Sequence, residues 1–204
     1  YRASLFTGKF QSSHGMVVNE LRLSPNHDCF GHALTRANYN TAYIGKWHLW
    51  ANQLGHHNQI GNAFTPPGPY RLGFDGYWAG YNFSHHSHGA VYFEDTCDPI
   101  PYEGYEADTQ TDMAINFLQN TNPKENPFAL FLSWGPPHDP WGSDNLPEGY
   151  WERFHDCDIQ PRPNFSTQQD PYADNWATMP DDYRNNLQDY MRGYYAQVAN
   201  IDWN

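Results

Sequence analysis

Basic residues are scarce: 11 lysines and arginines stand against 23 acids, for a formal net charge of −12. That balance argues against a nucleic-acid partner, because phosphate binding needs a basic surface that releases counterions. Any anion site has to be local. The lysines are Lys9, Lys46 and Lys124, and of these Lys46 stands in an apolar, aromatic stretch. Cysteine is equally sparse: Cys29, Cys97 and Cys157 lack CxxC spacing, so neither a zinc knuckle nor a redox pair is supported. They allow at most one disulfide. No apolar run approaches the ~20 residues that span a bilayer, and no apolar leader-type segment stands near Tyr1. Since the chain does not open on Met, the lack of a leader says nothing about location.

Aromatic side chains are abundant, with 8 Trp, 15 Tyr and 12 Phe. Such a content suits a carbohydrate-facing surface and equally a large aromatic core. A length of 204 residues favours one domain. Two glycosylation sequons, at Asn82 and Asn164, carry little weight in Asn-rich sequence.

Spaced apolar residues predict a helix over 25–38 and a second over 108–119, with a closing helix from Pro180 or Asp181 to Ile201. Thr41 to Ile44 reads as a short strand that stops at Gly45. Pro127 to Trp134 is a continuous apolar run bounded by turn residues, the pattern of a strand buried on both faces of a parallel sheet. Between them, residues 53–104 read as a long excursion of loops and short strands, and 142–180 as irregular. This order is that of an open α/β sheet, which binds ligands beyond the carboxyl ends of its strands.

Two groups of polar residues fall at those ends. Lys46 and His48 follow the first strand, and in extended geometry their spacing lets both point to one side, where they could grip a tetrahedral anion. A surface lysine beside a packed histidine fits the same residues. His138 follows the second strand in a rigid Pro136-Pro137-His138-Asp139-Pro140 turn, which suits a catalytic imidazole and also a structural turn. His85, His86 and His88 resemble a metal cluster, yet no carboxylate or cysteine stands at the spacing of a zinc motif. A solvated loop, with His88 as a possible substrate contact, is the alternative.

Taken together the pieces resemble the sulfatase family. Tyr1 to Lys9, with Arg2 and the Thr7-Gly8-Lys9 ending, is similar to the tail of the first sulfatase signature. Asn38 to Leu49 resembles the second signature along its whole length, departing where Asn38 replaces the usual Gly. Pro127 to Trp141 resembles the family's strand followed by Pro-Pro-His, and Leu72 to Asp75 and Arg192 to Asp202 resemble its connecting segments.

The resemblance implies an alkaline-phosphatase-like α/β fold, a mostly parallel sheet with helices on both faces. Residues 1–204 would form part of a single catalytic domain that continues at both ends. It also implies a formylglycine nucleophile made from a Cys or Ser just upstream of Tyr1, and a calcium ion (Ca2+) whose ligands lie outside these residues. By motif position Arg2 supports the nucleophile, while Lys46 and His48 bind sulfate oxygens. His48 also serves as base in the elimination of sulfate, and His138 contacts the sulfate and the leaving oxygen as general acid; the two histidines could exchange roles. The family places such enzymes in the periplasm or outside the cell. The substrate would be a sulfated small molecule or polysaccharide, and the His- and Trp-rich loops favour a carbohydrate. A phosphonate or phosphodiester hydrolase of the same superfamily shares the signature and fold. An aromatic-rich carbohydrate-binding module is the reading from another class.

Overall fold

The computed structural model describes residues 1–50, 59–124, 126–166 and 181–204. Parts of the two expected loop regions, 53–58 and 167–180, with the helix start at Pro180, lie outside the described residues. The chain forms two compact units, Tyr1–Gly135 and Pro136–Asn204.

The first unit opens with α1 (Arg2–Thr7), stopped by Gly8 in a left-handed conformation at φ 64°. A Gly there meets no Cβ penalty. The short α2 (Gln11–His14) follows. Next comes α3 (Phe30–Arg36), which starts later than its sequence pattern predicts because Cys29 and His32 cap its first turn reciprocally. Then come β1 (Asn40–Lys46), β2 (Tyr77–Tyr81) and an antiparallel pair, β3 (Val91–Tyr92) and β4 (Ile100–Pro101). The unit closes with α4 (Glu106–Asn120) and β5 (Phe128–Ser133).

β1 lies between β2 and β5 and is parallel to both. Alternation of side chains across the pleat decides which helix covers which face. Tyr43 sits in register with Trp78 and Phe131 and stacks against both rings, at 5.3 and 6.0 Å. On that face they join Phe6 of α1 and Phe30 of α3 in one aromatic core. On the opposite face Ile44, Ala79, Leu130 and Leu132 pack with Met113 and Ala114 of α4. The fold is thus the α/β class expected, a parallel sheet flanked by helices.

One expectation is corrected in detail. The strand over 128–133 was expected to be buried on both faces, yet each of its residues is only half-buried. It occupies the edge of the described three-stranded sheet, where one flank has no neighbouring strand.

In the second unit α5 (Trp151–Phe154) interrupts the stretch expected to be irregular, and α6 (Asp181–Asn185) and α7 (Leu187–Trp203) replace the single closing helix, which is interrupted at Asn186. Leu146, Tyr150 and Ala196 form its buried centre. A Cβ at Gly193 would lie 1.9 Å from the Trp141 carbonyl oxygen, so α7 can rest directly on that backbone only because Gly193 has none. All three cysteines are free thiols, Cys29 buried and the others exposed. Among the described residues no helix is long and apolar enough to cross a membrane.

Candidate functional site

The carboxyl ends of β1 and β5 are drawn together by a glycine. Gly45 has φ 101°, and a Cβ there would stand 2.1 Å from the Ser133 carbonyl oxygen. Only glycine permits both the conformation and the approach. Lys46, next in the chain, is 2% exposed. Its carbonyl accepts hydrogen bonds from the Tyr43 hydroxyl at 2.7 Å and from Ser133 Oγ at 3.1 Å. Arg2 Nη2 donates to the same Ser133 Oγ at 3.1 Å. Ser133 therefore ties two predicted site residues, from α1 and β1, to the end of β5. Burial pushes the Tyr43 phenol upward in pKa, and the Arg2 charge opposes that shift.

His48 departs from the extended geometry expected of it. β1 ends at Lys46, Trp47 turns into the aromatic core with its backbone N–H donating to the Tyr81 carbonyl at 2.7 Å, and His48 adopts φ 57°. The left-handed residue reverses the chain. Lys46 and His48 nonetheless reach adjacent residues of one turn: Lys46 Nζ donates to the Ser84 carbonyl at 3.4 Å, and the His48 ring stands edge-on to Phe83 at 4.8 Å. Phe83, Ser84, His85 and His86 line a cavity of about 500 Å³. His88 lies apart from that lining, exposed, bridged to Tyr105 and with its ring 5.2 Å from the Tyr105 ring. Asn82, the first sequon, is fully buried; its amide donates to Ala63 and Thr65 while its oxygen accepts from the Trp50 backbone. Its role is structural.

Glu106 is the residue that sequence reasoning missed. It opens α4, yet it is 2% exposed, and its carboxylate accepts from the Tyr81 hydroxyl and, at 2.7 Å, from Gln110 Nε2. Burial raises its pKa, while hydrogen bonds from Tyr81 and Gln110, the Lys46 charge and the Gly135 N–H pull the other way. The predicted helix began two residues too late, at Asp108, which left Glu106 in a loop. Its spacing to Gln110, Met113 and Ala114 would have placed it on the buried stripe.

His138 belongs to the second unit. Its Nδ1 lies 2.7 Å from Asp139 Oδ1 and 3.0 Å from the Asp139 carbonyl oxygen. Asp139 thus holds the ring through Nδ1, which turns Nε2 to the proton-exchange role. The turn is held by its far end, since the Pro140 carbonyl accepts from Asn145 Nδ2 at 3.0 Å and Gln197 Nε2 at 3.1 Å.

A family profile described as Sulfatase matches residues 1–204. The chain belongs to the sulfatase family. Among curated sulfatases, an ulvan-active sulfatase from Formosa agariphila is 30% identical over 203 residues, which cover 99% of this chain and 35% of that protein. An N-acetylglucosamine-6-O-sulfatase from Bacteroides thetaiotaomicron is 32% identical over 143 residues, 69% of this chain and 22% of that protein. A protein solved in complex with its substrate D-glucosamine-2-N,6-O-disulfate superposes with TM-score 0.68 at 23% identity, over 98% of this chain and 49% of that one. That likeness establishes the alkaline-phosphatase-like fold. This sulfatase chain thus spans about a third or less of the length of those curated relatives.

Sulfatase resemblance implies a calcium ion, but among the described residues no group of three or more His, Cys, Asp or Glu side chains could hold a metal. The described residues do not make a calcium cage.

Proposed function

We propose that the full-length protein is a sulfatase that hydrolyses sulfate esters of a carbohydrate, and that residues 1–204 form part of its single catalytic domain. The observation that carries this reading is the fastening of Arg2 and Lys46 to one Ser133 hydroxyl at the carboxyl ends of β1 and β5. It fixes the Arg2 guanidinium and the Lys46 main chain at the edge where an open α/β sheet binds its ligand, with the Lys46 ammonium next to the Ser84 carbonyl. A lysine at ~4 Å from an anionic oxygen, at an effective dielectric near 20, is worth about 4 kcal/mol per unit charge. The ulvan-active relative and the glucosamine-disulfate complex support a carbohydrate ester as the substrate class.

A formylglycine upstream of Tyr1 supplies, as its hydrate, the oxygen that takes up the sulfuryl group. Arg2 stands beside that position by motif, and its guanidinium favours the deprotonated, attacking oxygen. Lys46 and His48 bind the sulfate oxygens, whose negative charge increases as the S–O bond to the alcohol breaks. His138, with Nδ1–H held by Asp139, acts in its doubly protonated form and delivers the Nε2 proton to the departing alcohol oxygen. His48 takes the proton released when sulfate is eliminated. Assigning His138 to the leaving group rests on its motif. His88, on the same loop as the cavity-lining His85 and His86, contributes at most an outer contact to the glycan.

The test is a panel of sulfated oligosaccharides, 4-nitrophenyl sulfate and a phosphonate monoester offered to the full-length protein. Preferential sulfate release from oligosaccharides is expected. Faster turnover of the phosphonate ester would replace this reading with that of a phosphonate hydrolase.

A further inference from the structure

Building on the reading of Lys46 as a sulfate-binding cation, we propose that Glu106 is a positioning residue, the buried counter-charge that keeps Lys46 protonated and in place before the ester arrives. Both side chains are 2% exposed. Lys46 stands in register with Tyr81 on β2, and it is the Tyr81 hydroxyl that donates to Glu106 Oε1. Gln110, one turn along α4, donates to the same oxygen at 2.7 Å and also to the Tyr102 hydroxyl at 3.0 Å. A Cβ at Gly135 would stand 2.7 and 2.9 Å from the two carboxylate oxygens, so the end of β5 presses on the carboxylate with backbone alone, and the Gly135 N–H bonds to it.

This environment suits an ionised carboxylate, which only accepts. Tyr81, Gln110 and Gly135 each offer it a donor. Nor is the side chain spent on capping its own helix: the N-cap of α4 is Tyr105, with no side-chain cap, and Glu106 contributes only its backbone N–H, to the Ser87 carbonyl at 2.9 Å. The Lys46 charge is near enough to favour the ionised form of Glu106 against the cost of burial. The attraction is mutual. A lysine buried without an opposite charge sheds its proton, and a neutral amine binds sulfate poorly.

The consequence lies in the pH dependence. kcat/KM reports the ionisations of the free enzyme, where no sulfate helps to hold the Lys46 proton. The Glu106 charge is felt by Tyr81 of β2 and by Tyr102 and Tyr105 just before α4, Arg2 of α1 acts on Tyr81, Asp108 of α4 acts on Tyr105, and His48 follows Lys46 beyond the strand end. Burial pushes all three tyrosines above the ordinary phenol range, so they do not set an alkaline limit below that range.

The experiment compares full-length wild-type protein with Glu106→Gln and Glu106→Asp. It measures kcat/KM for 4-nitrophenyl sulfate across pH, and the Kd of inorganic sulfate by calorimetry over the same range. In Glu106→Gln the alkaline limb should move to lower pH, with sulfate binding at that end weakened about tenfold or more, the effect of losing roughly one unit of proton affinity. Values on the acid side should stay within about threefold of wild type, because Lys46 is charged there in either protein. Glu106→Asp keeps the charge but draws it back by one methylene, and should move the limb the same way by less. Superimposable limbs, or a uniform loss at every pH, overturn the proposal. Should Glu106→Gln fail to fold, an unmoved limb in Glu106→Asp overturns it equally. A wild-type protein that turns over no sulfate ester would defeat the sulfatase reading, and the sulfate titrations would still decide the role of Glu106.

Discussion

A lysine with 2% of its surface exposed has given up most of its hydration, and at Lys46 the Ser84 carbonyl and the nearby Glu106 charge replace part of it. Stabilising a buried ammonium in this way is useful when the group must meet an anion. In the full-length enzyme Lys46→Ala and His138→Ala should therefore each lower kcat/KM by roughly 10² or more, the scale of one preorganised charge stabiliser or acid-base group. Steady-state kinetics on the preferred ester decides the matter, and near-wild-type turnover in Lys46→Ala would sink the site assignment. Cys29 supplies a contrasting case. Burial, aided by the Asp28 charge, pushes its thiol up to about 11. Because the folded value is raised, the stability gained is present below the ordinary thiol range and is lost as pH climbs towards 11. Iodoacetamide at pH near 8 should alkylate the exposed Cys97 and Cys157 and spare Cys29, as peptide mass spectrometry would reveal. Modification of Cys29 at a comparable rate would contradict its burial.

At the scale of elements, the end of β5 was legible in the sequence because Gly135 follows its apolar run, whereas β1 was expected to stop at Gly45 and instead runs through that glycine to Lys46, since Gly45 still pairs with Gly80 and Ser133. The extent of α4 and the place of Tyr77–Tyr81 in the main sheet were not. A five-residue strand inside a loop-rich stretch has too short a pattern to separate from its surroundings, and its pairing with β1 is a long-range fact. The bend at His48 was hidden too, since a left-handed histidine leaves no periodic trace. Arg2, Lys46, His48 and His138 could be picked out from motif and strand-end position, whereas Glu106 could not, because its meaning depends on Tyr81 and Gln110 folding around it. Gly45 shows what those strand ends demand. Gly45→Ala would force a Cβ into the Ser133 carbonyl at φ 101°, for an expected loss of about 2–4 kcal/mol from strain and overpacking. Urea unfolding of the full-length variant measures it; a change under about 0.5 kcal/mol would mean that β5 can move aside at little cost.

At the scale of the whole molecule, the described sheet holds only β2, β1 and β5, and the chain spans 35% of the length of its ulvan-active relative. A parallel sheet gains stability when both faces and both flanks are covered. Here β5, carrying Phe128, Leu130, Phe131 and Leu132, is half-buried along its whole length and has a strand on one flank only. Such an apolar edge is a template for pairing between chains. These 204 residues expressed by themselves should therefore melt without a sharp transition and associate at micromolar concentration, whereas the full-length protein should melt cooperatively. On the proposed mechanism they should also release no sulfate from 4-nitrophenyl sulfate, even with calcium added, because positioned Arg, Lys and His side chains can bind an anion but do not supply the oxygen that accepts the sulfuryl group. Scanning calorimetry and light scattering on the two proteins, followed by the hydrolysis assay, test both halves separately. A cooperative melt of the 204-residue chain would show that the β5 edge is adequately protected by its own unit. Turnover by that chain would place the nucleophile among residues to which the mechanism assigns only binding and proton transfer.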